Sequence, residues 1–256
     1  MSVPYGNFLD SVDKFDNQLF SMSPKESIQL DPQHRLALMC CYEAMEDAGF
    51  VPEQMSSYLT TRVGCFIGAS SDDYRENASS GIGAYFITGN IRAFIPGHVS
   101  FSWNLEGPSN SIDTACSSSL VAIESACDAL LNKQCDAALA GGVTILTQPQ
   151  MFMGYERAGM LSPSGQSRTF DDSVNGICRG DGVGVVMLKR LSTAVAEGDN
   201  ILGVIRGCQS NFSSLDDKTR LAAPSQQMLE NLFRQSCKLA KVNPLDVTYI
   251  DAHGAG

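Results

Sequence analysis

Three short stretches constrain the fold more than anything else in the chain: RVGCFIG (62–68), DAALAGGVTIL (136–146) and GVGVVMLKRL (182–191). Each is nearly continuous in apolar residues and has the length of a strand, and a strand that is apolar on both sides must be covered on both faces. The segments between them read as helices. SPKE at Ser23–Glu26 is a capping box with proline at the first helical position, and DPQHRLALMCCYEAMEDAG repeats the Asp cap and the proline before an amphipathic run that Gly49 ends. On that run Leu36, Met39, Cys40 and Ala44 form the face expected to meet a sheet. A strand at Ser109–Asp113 leads into a helix at Cys116–Leu131, and Pro224–Lys241 is a further helix with Met228, Leu232, Phe233 and Leu239 inward. ILGVIRGCQ (201–209) is expected to pair antiparallel with 182–191, and VTYIDAHGAG (247–256) to begin another strand. Strands alternating with helices define an α/β protein whose mixed sheet is sandwiched by helices.

At 256 residues the chain suits one large domain or two small ones, and 43% hydrophobic against 18% charged residues is the balance of a globular protein. No apolar run reaches bilayer length, and MSVPYGNFLDSVDKF lacks the basic and apolar regions of a signal peptide, so a cytoplasmic protein is expected. A net charge of −10 speaks against nucleic acid or an anionic membrane as the main partner. Nine cysteines without a CxxC pair, most of them in apolar runs, suit reduced thiols packed as small hydrophobes better than disulfides or a zinc site.

One cysteine stands apart. In SIDTACSSSLVAIESACDALL (111–131), Cys116 sits where an extended stretch turns into a helix, with Ser117, Ser118 and Ser119 in the first turn. Leu120, Ile123, Cys127 and Leu130 recur at helical spacing, and Val121, Ala126 and Leu131 widen the stripe, so the helix is expected to be buried lengthwise. Its positive end then falls on Cys116 and favours thiolate, the nucleophilic form, over thiol. A serine there would need a dedicated base to attack a carbonyl, whereas a cysteine needs only modest help. The bland alternative is one more small residue in the core.

Of three histidines, His34 lies in the first turn of a helix and reads as a surface or packing residue, and His98 follows the Pro96-Gly97 turn signal and reads as a loop residue. His253 ends a predicted strand and enters a glycine-containing loop, where a sheet presents side chains to a cleft. GICRGDGVG (176–184) is glycine-rich but precedes a strand, which argues against a phosphate-binding loop. Asp72-Asp73 and Asp171-Asp172 read as solvated or capping pairs, and Met151, Met153 and Met160 as core.

DPQHRLAL, GPSNSIDTACSSS, LAGGV, TFDDSVNGICRGDGVGVVMLKRL and DAHGAG, in this order, resemble the β-ketoacyl synthase (ketosynthase) domain of polyketide synthases. SSDDYRE and YFITGNIRAFIPGHVSF are most similar to the fungal iterative non-reducing type. The resemblance implies a thiolase-like fold of two similar halves, here an N-terminal half to about residue 210 and the start of a C-terminal half at about 211–256, and a homodimer. It implies no directly bound cofactor. The partner is an acyl carrier protein, whose phosphopantetheine arms carry acyl and malonyl thioesters. Cys116 matches the cysteine that takes the acyl group before decarboxylative condensation, and His253 the first of two histidines.

Two positions depart from the family pattern: Asp251 stands for the usual glutamate and Ala255 for a common threonine. The family's lysine and second histidine are expected beyond Gly256 and its opening strand before Met1, so the chain reads as truncated at both ends and weak or inactive alone. A fatty-acid-type condensing enzyme and a non-catalytic ketosynthase-like dimerisation module are the alternatives.

Overall fold

A computed structural model describes residues 2–50, 62–212 and 225–254. Pro224, Ala255 and Gly256 lie outside the described residues. The chain divides into two units, residues to Asp199 with His253 and Gly254 in one and Asn200–Ala252 in the other.

In the first unit the elements follow as α1 (Pro24–Gln29), α2 (Pro32–Asp47), β1 (Val63–Gly68), α3 (Tyr74–Ala78), α4 (Phe86–Asn90), α5 (Phe94–Ser102) and β2 (Ser109–Ile112). They continue as α6 (Ser118–Leu131), β3 (Ala137–Thr144), α7 (Pro149–Arg157), β4 (Gly182–Lys189) and α8 (Leu191–Glu197). The expected caps form: Ser23 accepts the Glu26 N–H, and Asp31 accepts the Gln33 N–H, each with proline opening the helix.

The sheet has the order β2-β1-β3-β4. β1 runs parallel to β2 and to β3, and β4 runs antiparallel to β3. Strand alternation splits the apolar residues into two layers. Val63, Cys65, Ile67, Ala137 and Leu139 turn to one face, where Ala37, Leu38, Cys41 and Met45 of α2 and Ile95 and Val99 of α5 complete the main core. Phe66, Ala138 and Ala140 turn to the other, where Ala122, Ala126 and Ala129 of α6 meet them. Alanine on both sides of that second layer brings α6 close to the sheet.

Several expectations from the sequence change here. The buried face of α2 is Ala37, Leu38, Cys41 and Met45, one position round from the expected stripe, which flanks it half-buried. His98 lies in α5, because Pro96 falls in the first helical turn, where proline is tolerated. α6 is buried along its length, but on a stripe of Ser118, Ala122, Ala126, Ala129 and Leu130: of the expected stripe Leu130 is buried, Ile123 and Cys127 are half-buried, and Leu120, with Leu131 beside the stripe, is exposed. Met151 and Met160 are exposed, and Phe152 fills that core instead.

The second unit holds α9 (Gln226–Ala240), ended by Lys241 in the left-handed conformation, and a 3₁₀ turn at Pro244–Asp246. Gly207 approaches α9, where a side chain would meet the Ala240 N–H nitrogen at 3.0 Å. Two predicted strands do not form as ladders: 201–209 and 247–253 have no strand partner among the described residues, and Leu202, Val204, Tyr249 and Ile250 are exposed. A strand exists only through its neighbour, and β4 takes β3 as its antiparallel partner. On α9, Phe233 and Leu239 are likewise exposed and Cys237 alone is buried.

Candidate active site

The chain leaves β2 at Ile112 and enters α6 at Ser118 through a single 3₁₀ turn, Ala115–Ser117. Ala115 takes φ 55° there, the left-handed backbone that makes so sharp an elbow. Cys116, the next residue, is an exposed free thiol, whereas Cys41, Cys65, Cys135 and Cys237 are buried. The hydrogen bond with the neighbouring Cys65 thiol, together with burial, pushes the Cys41 thiol well above its ordinary value, and burial raises Cys135.

Ser117 and Ser118 hold the turn around Cys116. Ser117 Oγ donates to the Thr114 carbonyl at 2.8 Å. Ser118 Oγ accepts the Thr114 N–H at 2.9 Å and donates to the Ala115 carbonyl at 2.6 Å. No hydrogen bond occupies the Cys116 N–H among the described residues.

Asp113, three residues upstream, accepts the Ser70 hydroxyl at 2.8 Å and the Ala115 N–H at 3.2 Å, and pairs with Arg92. Desolvation opposes its charge, but the Ser70 and Ala115 hydrogen bonds and the Arg92 guanidinium outweigh it and hold the carboxyl below the usual carboxylate range.

Cys116 opens on a cleft of about 480 Å³, lined also by Ser70, Ser119, Thr144, Asp181 and the start of β4. Two glycines permit this closeness. A Cβ on Gly68, at the end of β1, would lie 2.5 Å from the Ser118 carbonyl carbon, and one on Gly142 would lie 2.7 Å from Ser119 Cβ. Asp181 fixes the far wall, accepting the Leu146 N–H at 2.8 Å and the Leu9 N–H at 3.2 Å. Among the described residues no three His, Cys, Asp or Glu side chains converge as metal ligands, and no helix is long and apolar enough to cross a membrane.

The structure treats the two sequence candidates differently. Cys116 lines the cleft; His253 is exposed and is not among its lining residues. The Gly254 carbonyl beside His253 accepts the Thr169 hydroxyl at 2.8 Å, which lays this segment on the 169–170 loop. His34 and His98 stack edge to face at 5.4 Å in the interior. Arg92, Asp113 and Asp181 carry much of the site's geometry and escape sequence reasoning. Each lies in a stretch the sequence makes conspicuous, Arg92 in YFITGNIRAFIPGHVSF, Asp113 in GPSNSIDTACSSS and Asp181 in GICRGDGVG, but nothing local marks these side chains themselves.

A four-stranded mixed sheet between helix layers, with a thiol at a strand-to-helix elbow, defines the class: an α/β protein of thiolase-like fold. The chain belongs to the β-ketoacyl synthase family. Residues 1–194 match the Beta-ketoacyl synthase, N-terminal domain, and residues 202–256 the Beta-ketoacyl synthase, C-terminal domain. It is 47% identical to a non-reducing polyketide synthase of Aspergillus oryzae over 99% of its length, and 45% identical to an orsellinic acid synthase of Armillaria mellea over 100% of its length. It spans 12% of the length of each of these relatives. Among solved structures it resembles the ketosynthase from module 6 of the bacillaene synthase of Bacillus subtilis 168, with TM-score 0.86 and 36% identity, over 96% of this chain and 41% of that one.

Proposed function

We propose that the chain is the ketosynthase part of a polyketide synthase and that Cys116 is its acyl acceptor. The carrying observation is that Cys116 alone of the chain's cysteines is exposed, at a left-handed elbow, facing a cleft. Its sulfur attacks the carbonyl of an acyl thioester borne on the phosphopantetheine arm of a carrier protein. The tetrahedral intermediate collapses, the C–S bond to the carrier breaks, and the carrier leaves as a thiol. The unoccupied Cys116 N–H supplies one donor to the oxyanion. In the second half-reaction a malonyl thioester loses carbon dioxide, and the resulting carbanion attacks the acyl group on Cys116, releasing the cysteine as thiolate. His253 stabilises the enolate in this reading.

The resemblance carries the rest: N-terminal half to about residue 210 and C-terminal half from about 211, homodimer and carrier-protein partner. The test is peptide-resolved mass spectrometry after exposure to an acyl thioester. The acyl mass is expected on the Cys116 peptide, and Cys116→Ser is expected to slow transfer on the order of 10³-fold. Acyl spread evenly over several cysteines would refute the assignment.

A further inference from the structure

Ala115 holds a backbone conformation, φ 55°, that glycine adopts freely and a residue with a Cβ does not. Both of its backbone polar groups are tied, the N–H to Asp113 Oδ1 at 3.2 Å and the carbonyl to Ser118 Oγ at 2.6 Å. Asp113 is tied in turn, through Oδ1 to the Ser70 hydroxyl and through Oδ2 to Arg92. The same Nη1 of Arg92 donates to the carbonyls of Ala69 at 3.2 Å and Ser70 at 2.9 Å, just past the end of β1. One nitrogen therefore connects the tip of a central strand to a carboxylate, and the carboxylate connects to the residue before the thiol. The Arg92 and Asp113 side chains keep 33% and 44% of their surface exposed, and ion pairs so exposed add little to stability. What this pair can fix is geometry.

We propose that Arg92 and Asp113 are positioning residues for Cys116, a clamp that keeps Ala115 left-handed so that the thiol and the adjoining N–H face the same cleft. The proposal rests on the reading of Cys116 as the acyl acceptor. Without the clamp Ala115 relaxes toward right-handed or extended backbone, the Ala115–Cys116 peptide turns, and sulfur and donor no longer converge.

The experiment measures acylation of Cys116 in the full chain by acetyl-N-acetylcysteamine, resolved by peptide, with half-buried Cys178 as the internal comparison. Arg92→Gln and Asp113→Asn are expected to slow Cys116 about tenfold and leave Cys178 unchanged. Arg92→Lys offers three donors on one nitrogen and is expected to return the rate to within about threefold of wild type. In an Ala115→Gly background, where φ needs no clamp, Arg92→Gln is expected to cost less than about threefold. The clamp is overturned if Arg92→Gln acylates Cys116 at the wild-type rate, or if its loss is undiminished beside Gly at 115. Should Arg92→Gln open the whole chain, seen as rapid labelling of buried Cys65, Asp113→Asn carries the test by the same criteria. A wild-type Cys116 no faster than Cys178 would overturn both the clamp and the acyl-acceptor reading, whereas a fast wild type with an equally fast Arg92→Gln overturns the clamp alone.

Discussion

Gly68 and Gly142 hold the elbow from beneath, and they do so by lacking an atom. Their would-be Cβ positions fall 2.5 Å from the Ser118 carbonyl carbon and 2.7 Å from Ser119 Cβ, both of them atoms that move only with the helix. Gly68→Ala or Gly142→Ala therefore lifts the start of α6 off the sheet and carries Cys116 with it. Overpacking of this kind costs about 1–3 kcal/mol, so urea midpoints should fall, and Cys116 acylation should slow by more than the loss of folded protein explains. An alanine variant with unchanged acylation would show that the strand ends do not set the thiol's position. At this scale the place of Cys116 at a strand-to-helix elbow was legible in the sequence, since a thiol among serines at such a change carries its own local signal. Arg92 and Asp181 were not. Arg92 reaches Asp113 across 21 residues and Asp181 reaches Leu9 across 172, and no local pattern encodes a meeting of that kind.

Helix α6 shows why element existence is easier to read than element orientation. Nearly every position from Leu120 to Leu131 can pack, so composition announces a buried helix without saying which side is buried. The choice falls to size: Ala122 and Ala126, fully buried, let the helix lie against Ala138 and Ala140, and larger Leu120 is left 65% exposed. Ala126→Leu should destabilise the chain by about 1–3 kcal/mol, whereas Leu120→Ala should stay within about 0.5 kcal/mol of wild type in urea unfolding. The reverse order would mean that Leu120 is the face that packs. The same logic separates the strands. β1 and β3 were recognisable because covered strands show as short apolar runs, whereas β4 reads the same way although none of its residues is buried and Val186 is exposed. Segments 201–209 and 247–253 have the same composition, yet hydrogen-bonded pairing is a property of two segments at once and cannot be read from one. Helix α5 does not show in the sequence because the Pro96-Gly97 dipeptide reads as a turn, although proline in the first turn of a helix is compatible with it.

Across the whole molecule, acid stability is set by buried groups whose effects oppose each other. Burial, with a smaller contribution from His98, lowers His34 to about 3, and burial also lowers His98 against the hydrogen bond to the Thr88 carbonyl. Burial raises Asp31 to about 6, with Asp73 adding to it and the Gln33 hydrogen bonds and Arg35 opposing. Below pH about 6.5 the unfolded chain takes up protons at His34 and His98 more readily than the folded chain does, so their contribution to stability is present above that pH and is lost on acidification. Asp31 works the other way. Between about pH 6 and 4 the folded chain is the one that binds its proton, which favours folding as pH falls and offsets one histidine. Wild type should therefore lose stability over this range only by the histidine contribution that Asp31 does not offset. Asp31→Asn keeps a helix-capping oxygen but removes the titration, and its stability should fall about 1.4 kcal/mol per pH unit more steeply than wild type between pH 6 and 4. His34→Gln should flatten the profile instead. Urea midpoints for the three proteins at pH 4, 5, 6 and 7 decide the matter, and parallel profiles for wild type and Asp31→Asn would mean that Asp31 holds no proton in the folded state at these pH values.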